Sequence, residues 1–328
     1  MKKKLITAMV CVLAAAIVCA VVLTACAVAP EQTGAPAAAE ESGAKTESVE
    51  KLPLSVTSDK EELKPTEGLV FATYDNLSYT VTGIGTVDLG ASGRVIIPSE
   101  YEGLPVRAIG AAAFAGVGGL TEIDIPDSVT SIGERAFANC GGLKYIGFGN
   151  GVNKIGASAF SGCSALVYAD VSLPIDKDIV ADKDVEKVVK LPALLTAIEP
   201  YTFFGCGAIE NLQLGSNVTA IGDTAFFGLS ALGSEDAEYV LTIPDSVKSI
   251  GYDAFMSCGE LTKISLPVTL QSIGKYAFFG AGLVADAPVT VTVRGEEPDW
   301  NMVPKGSKWN AFMPEGSAVV FATAAEQA

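Results

Sequence analysis

The stretch Thr121–Leu143, TEIDIPDSVTSIGERAFANCGGL, carries a hydrophobic pattern that recurs through most of the chain. Its first part, Glu122 to Pro126, alternates polar and apolar residues, as a strand with one buried face does. The proline closes that strand, because proline cannot donate to a ladder. Its second part, Val129 to Ile132, again spaces β-branched residues for burial, and Gly133 then permits a tight bend. The following ERAFANC predicts a single helical or 3-10 turn that drops Ala136 and Phe137 inward. The phenylalanines count the copies: Phe114, Phe137, Phe160, Phe203, Phe226, Phe255 and Phe278, at spacings of 23, 23, 43, 23, 29 and 23. Two of the spacings therefore hold insertions, of 20 and 6 residues. Repetition at about 20 to 29 residues marks a stacked solenoid, in which no unit buries its apolar side without its neighbours.

Stacking turns each repeated position into a column. One column runs through Ile109, Ile132, Ile155, Ile198, Ile221, Ile250 and Ile273, each followed by Gly except Ile198, where Glu199 stands. Phenylalanines form a second column, and these residues read as scaffold rather than as a ligand pocket. Cys140, Cys163, Cys206 and Cys258 each fall three residues after a column phenylalanine, where Leu229 and Ala281 stand in other copies. That position wants a small apolar group. Buried free thiols satisfy it. Neighbouring rungs about 4.8 Å apart also leave a Cys140–Cys163 disulfide within range, whereas a metal site has no histidine to complete it.

A solenoid needs closed ends. Tyr74 to Ile97, with Tyr79, Val81 and Ile84 alternating, reads as a short hairpin that caps the amino end. Val289 to Val293 alternates cleanly at the other end. Trp300, Trp309 and Phe312 follow it, with the tryptophans read as cap hydrophobes or else as a sugar or peptide platform.

The amino terminus is of another kind. MKKK precedes an apolar run from Leu5 to Leu23, the layout of a secretory signal, although the run nearly reaches the length of a membrane span. Leu23-Thr24-Ala25-Cys26 resembles the lipobox of bacterial lipoproteins, which implies cleavage before Cys26 and lipid attachment to its thiol. From Ala27 to about Glu67 the chain is Ala, Glu, Pro, Ser, Thr, Lys and Gly-rich without an aromatic residue. Ordering it would cost entropy without burial, so it reads as a disordered tether with a reach of roughly 35 Å. The expected organisation is a signal peptide over 1–25 and a lipidated cysteine with tether over 26–67. An amino-terminal β cap with the first repeat strand follows over 68–108. The repeats occupy 109–283 with an insertion near 170–189, and a carboxy-terminal cap fills 284–328. Loss of the signal leaves 19 of the 22 basic residues against all 38 acidic ones, a net charge of −19. Such a chain is repelled by phosphates and anionic headgroups, so nucleic acid is not an expected partner and the membrane is met through the lipid alone.

No catalytic constellation assembles. The chain has no histidine, which removes Ser-His-Asp and Cys-His nucleophiles and His-containing zinc sites. A paired-carboxylate hydrolase survives only in principle. Gly83-Ile-Gly85 lacks the helix start and Lys-Ser/Thr pair of a nucleotide loop. The insertion carries DKDIVADKDVEK and reads as a solvated loop, or as one whose Asp176, Asp178, Asp182 and Asp184 offer carboxylates to a partner or to a calcium ion. Their spacing is not that of an EF-hand loop. Outward strand positions form two further rows, Glu122, Tyr145, Val188, Asn211, Val240, Lys263 and Asp124, Gly147, Lys190, Gln213, Thr242, Ser265. The rows are mixed, which suits a heterogeneous partner or none through this face, with Tyr145, Asn211 and Gln213 as candidate contacts. No cofactor and no metal are expected.

Residues 77 to 283 resemble the BspA-like leucine-rich repeat surface proteins. The resemblance rests on Ile-Pro-Asp-Ser-Val at Ile125 and Ile243, Ile-Gly-x-x-Ala-Phe in most copies, and Ser78 to Gly85, SYTVTGIG. It implies a mainly β fold, a leucine-rich repeat solenoid of about seven 23-residue repeats with parallel ladders, short helical or 3-10 turns and β caps. It also implies adhesion-type binding to an extracellular or cell-surface protein or glycan, from the outer face of a bacterial membrane. A structural or polysaccharide-binding envelope lipoprotein is the alternative. Departures are Thr202 for Ala and Glu199 for Gly in the fourth copy, and Gly149 and Gly215 for the strand-ending proline in the third and fifth.

Overall fold

The computed structural model describes residues 64–73, 75–170, 187–234, 238–295, 310 and 313–322. Strands β1 (Val70–Ala72) and β2 (Tyr79–Gly83) form an antiparallel hairpin. β3 (Arg94–Ile96) follows, and β4 (Glu100–Tyr101) folds back on β5 (Leu104–Ile109). From there the chain climbs in rungs. β6 (Glu122–Asp124) and β7 (Ser131–Ile132) make one, β8 (Tyr145–Gly147) and β9 (Lys154–Ile155) the next. β10 (Tyr168–Asp170) stands before the long insertion, with β11 (Val188–Lys190) and β12 (Ala197–Ile198) after it. β13 (Asn211–Gln213) with β14 (Ala220–Ile221), β15 (Leu241–Thr242) with β16 (Ser249–Ile250), and β17 (Lys263–Pro267) with β18 (Ser272–Ile273) complete the series. β19 (Thr290–Arg294) and β20 (Ala318–Ala322) extend it.

Two parallel ladders result. A front sheet runs β3-β6-β8-β10-β11-β13 and then β15-β17-β19-β20, while a side ladder runs β2-β5-β7-β9 and then β12-β14-β16-β18. The expected stacked solenoid is therefore present. The amino cap differs in detail from expectation. β2 finds its antiparallel partner upstream, in β1, and Val95 belongs to the front sheet rather than to a hairpin. Phe71 stacks on Tyr101 at 4.0 Å, and the Tyr79 ring meets Tyr101 edge-on at 5.0 Å, closing that end with aromatic surface. At the other end the alternation of Val289, Val291 and Val293 buries all three, as β19 pairs in parallel with β17 and β20. Arg294 then staples back across the coil, donating to Ser265 Oγ at 2.8 Å, Ile243 O at 2.6 Å and Asp245 Oδ1 at 2.6 Å.

The third side of each rung is not helical; no helix occurs among the described residues. In every copy the second residue after the Ile-Gly position is left-handed: Ala112, Arg135, Ser158, Tyr201, Thr224, Asp253 and Tyr276 have φ between 53° and 62°. A second left-handed residue follows four positions later, as at Asn139 and Gly162. Positive φ breaks the helical path, so alternate amides split their bonding. Ala136, Ala138 and Cys140 close local turns, while Arg135, Phe137 and Asn139 donate to Ala157, Ala159 and Ser161 of the next rung at 3.0, 2.8 and 2.7 Å. This gives a third ladder between rungs, which a helical turn would have kept to itself.

Inside, the seven column phenylalanines are fully buried, and successive rings stack with centroids 5.0 to 5.6 Å apart. The stack passes unbroken across both insertions. Beside it Cys140, Cys163, Cys206 and Cys258 are buried and free, and no disulfide joins the first two. Their thiols face the carbonyls of Phe114, Phe137, Phe160 and Phe226 of the rung beneath. Burial pushes Cys140 up to about 11 and Cys206 and Cys258 up to about 12, so the thiols stay protonated and unreactive at neutral pH.

Candidate binding surfaces

The front sheet sets Glu122 opposite Tyr145 and Val188 opposite Asn211, but Glu122, Val188, Asp124, Gly147 and Ser265 of the expected outward rows are buried. One strand had escaped the sequence rows. β10 inserts Tyr168 and Asp170 between Tyr145 and Val188, because the long insertion is flanked by two front strands rather than one. Tyr145 and Asn211 share the face but lie three strand spacings apart, about 14 Å. Gln213 is exposed beside Asn211, whose amide donates to Lys187 O at 3.1 Å and ties down the returning end of the insertion. Asp176, Asp178, Asp182 and Asp184 lie outside the described residues, as do Cys26, Trp300, Trp309 and Phe312. Glu122 and Asp124 are buried, with Arg94 between them at 3.1 and 2.6 Å. They serve the sheet rather than a visitor.

A second surface was not found from the sequence rows. The residue after each column phenylalanine lies outside the core cluster, and successive rungs place these residues side by side through the third ladder, with Phe204 and Phe227 buried and Met256 and Phe279 half-buried. In the first three copies the position holds Ala115, Ala138 and Ser161; in the last four it holds Phe204, Phe227, Met256 and Phe279. Phe204 stacks on Phe227 at 5.1 Å, Tyr201 leans on Phe204 at 6.2 Å, and Tyr276 meets Phe279 edge-on at 5.5 Å. Tyr252 of the sixth copy is 59% exposed, and Lys275 Nζ sits 4.5 Å above the Tyr276 ring. The left-handed turn shapes this strip: the residue just before each core phenylalanine is buried, while the left-handed residues Tyr201 and Tyr276, two positions before it, pack beside Phe204 and Phe279. The signal was present in the doublets Phe203-Phe204, Phe226-Phe227, Phe255-Met256 and Phe278-Phe279, against Phe-Ala and Phe-Ser earlier. Asp223 and Asp253 rim the strip, and burial raises the Asp253 carboxyl above its ordinary range, with Asp223 adding to the rise and Lys275 opposing it.

The coil geometry agrees with the sequence profile of the BspA type Leucine rich repeat region, which matches six copies over residues 107–233 and 236–285. The chain belongs to the BspA-type leucine-rich repeat family. Among solved structures it is similar to the T. pallidum Leucine Rich Repeat protein, at 24% identity over 66% of this chain and 88% of that one, with a TM-score of 0.53. It is also similar to a leucine rich cell surface protein from Faecalibacterium prausnitzii A2-165, at 23% identity over 78% and 84% of the two chains, with a TM-score of 0.38. No curated protein matches the sequence. Within a BspA-type coil the column residues are scaffold, so what distinguishes this chain lies in its outward positions and its insertions.

Proposed function

We propose that the protein is a lipid-anchored, extracytoplasmic binding protein whose ligand is another protein, seated on the aromatic strip of the last four repeats. The observation that carries this is the restriction of large apolar residues at one column to copies four to seven, where buried Phe204 and Phe227 support half-buried Tyr201, Met256, Tyr276 and Phe279, with Tyr252 largely exposed. Tyr, Phe and Met with charged neighbours are the composition of protein-binding surfaces. A glycan platform would instead offer ring faces, and Phe204 and Phe227 turn theirs to each other. The absence of histidine supports binding rather than catalysis. The full chain in detergent should capture an immobilised extracellular matrix protein, and the double variant Tyr252→Ala, Tyr276→Ala should weaken capture by about tenfold or more, as loss of interface aromatics does. Unchanged capture by the double variant, with its melting curve intact, would remove the strip from the reading. Capture of purified wall glycans in place of any protein would replace the reading with a polysaccharide-binding one.

Attachment rests on Leu23 to Cys26 at the end of the apolar run. Cys26→Ala should stop lipid labelling and release the protein from the membrane fraction or block its processing, whereas Cys140→Ala should leave both unchanged. Equal membrane partitioning of the fully processed Cys26→Ala chain would refute the anchor.

A further inference from the structure

The front sheet and the side ladder do not count the same number of strands across the long insertion. Between β8 and β13 the front sheet places both β10 and β11, but the side ladder passes from β9 directly to β12, and those two do not pair. The extra front strand has no counterpart on the side ladder, although the third ladder and the phenylalanine stack continue across this point. Elsewhere each rung of the side ladder donates two amides to the rung before it, as Thr219 does to Thr196 O and Gly222 to Ile198 O, both at 2.8 Å. The corresponding bonds from Thr196 to Asn153 O and from Glu199 to Ile155 O are not made. Among the described residues these two amides and two carbonyls have no partner. They face a cleft of about 490 Å³, with Ile155, Leu194 and Ala197 as its apolar wall and Lys154 and Glu199 on its rims.

Two further observations make the cleft a built feature. Where the short insertion interrupts the front sheet between β13 and β15, Tyr239 plugs the break, its hydroxyl bonding both Leu212 N and Leu212 O at 3.1 and 3.2 Å. Nothing comparable plugs the side ladder among the described residues. Glu199 is also the one residue to replace glycine after the column isoleucine, and it occurs at the rung above the gap. Gly156 and Gly222 lie against the backbone of the rung beneath, 2.6 Å from where a Cβ would sit, so only the opened rung has room for a side chain.

We infer that this cleft binds an extended peptide segment of a partner protein as an added parallel strand between β9 and β12. The segment's amides donate to Asn153 O and Ile155 O, and its carbonyls accept from Thr196 N and Glu199 N, completing the ladder on both sides. A small apolar residue fits against the exposed Leu194 side chain. Lys154 and Glu199 have no ion-pair partner among the described residues, so an acidic residue suits the Lys154 rim and a basic one the Glu199 rim. The site is separate from the aromatic strip and stands or falls without it.

Selecting a displayed library of short linear peptides against the full chain in detergent, followed by residue-resolved hydrogen exchange, tests this. In the free protein Thr196 and Glu199 amides should exchange about tenfold or more faster than those of Thr219 and Gly222, which are ladder-bonded. A selected peptide should slow Thr196 and Glu199 to the ladder-bonded rates, lose binding when its backbone nitrogens are methylated, and change its preferred charges when selection is repeated on Lys154→Glu. Slow exchange of Thr196 and Glu199 in the free protein would show the ladder closed and overturn the inference. So would a selection that yields no peptide, or peptides that leave those two amides unaffected.

Discussion

Phe160→Ala is expected to destabilise the coil by about 3–5 kcal/mol, the cost of truncating a fully buried aromatic ring. Phe160 is fully buried, stacks between Phe137 at 5.2 Å and Phe203 at 5.4 Å, and is met edge-on by Phe148 at 6.0 Å. Its removal opens a cavity where four rings meet, and each lost aromatic pair adds about 0.5–1.5 kcal/mol to the lost burial. Because it sits in a middle rung, the break also separates the first three copies from the last four, and a solenoid transmits stability only through neighbouring contacts. Urea unfolding followed by circular dichroism should show a midpoint lower by about 1–2 M, or a split transition. Lys154→Ala, at an exposed neighbour, should stay within about 0.5 kcal/mol of the parent. Equal midpoints for the two variants would be incompatible with a continuous phenylalanine column.

A second large effect is expected from exchanging residues between equivalent rungs. Gly156→Glu places in the third copy the residue that the fourth carries at 199. There a Cβ would lie 2.6 Å from Glu134 N and 2.8 Å from Gly133 C, backbone atoms held by the ladders. Overpacking against backbone costs about 1–3 kcal/mol for modest insertions and more for a whole charged side chain, so the variant should fail to reach the cooperative native state. The reciprocal Glu199→Gly should remain within about 0.5 kcal/mol of the parent. Circular dichroism and thermal melting of the pair would decide it. A Gly156→Glu chain as stable as the parent would mean that the rungs are spaced more widely than the stacked phenylalanines require.

The repeat was legible because it is written in side chains that must be buried. Alternation around Ile123 and Ile125, the Ile column and the regular phenylalanines could be satisfied only by stacking, and no other arrangement would hide the same face of every copy. The cysteine position was legible as a packing requirement, but not its redox state, which depends on how the thiols meet the carbonyls of the rung beneath. The left-handed turn was not legible. Ala112, Arg135 and Tyr276 are not residues that announce positive φ, and they adopt it because the ladder to the next rung compensates a conformation they would not choose alone. The aromatic strip followed from that turn, so a reading that expected a helical turn overlooked which side the doublets Phe203-Phe204 and Phe226-Phe227 would show.

Hydrophobic periodicity by itself determined the coil, its inward columns and the number of copies, since burying a repeated apolar face is a local demand made identically in each unit. Only the tertiary structure decided what happens where the period is broken. The two insertions differ in length, yet length alone says nothing about which ladder opens. That depends on how many front strands flank the insertion, and on whether a side chain such as Tyr239 reaches the freed backbone groups, as it does at Leu212, or leaves them facing a cleft, as at Asn153, Ile155, Thr196 and Glu199. Hydrogen bonds between rungs are contacts across distant sequence, and their absence is visible only once the rungs are stacked.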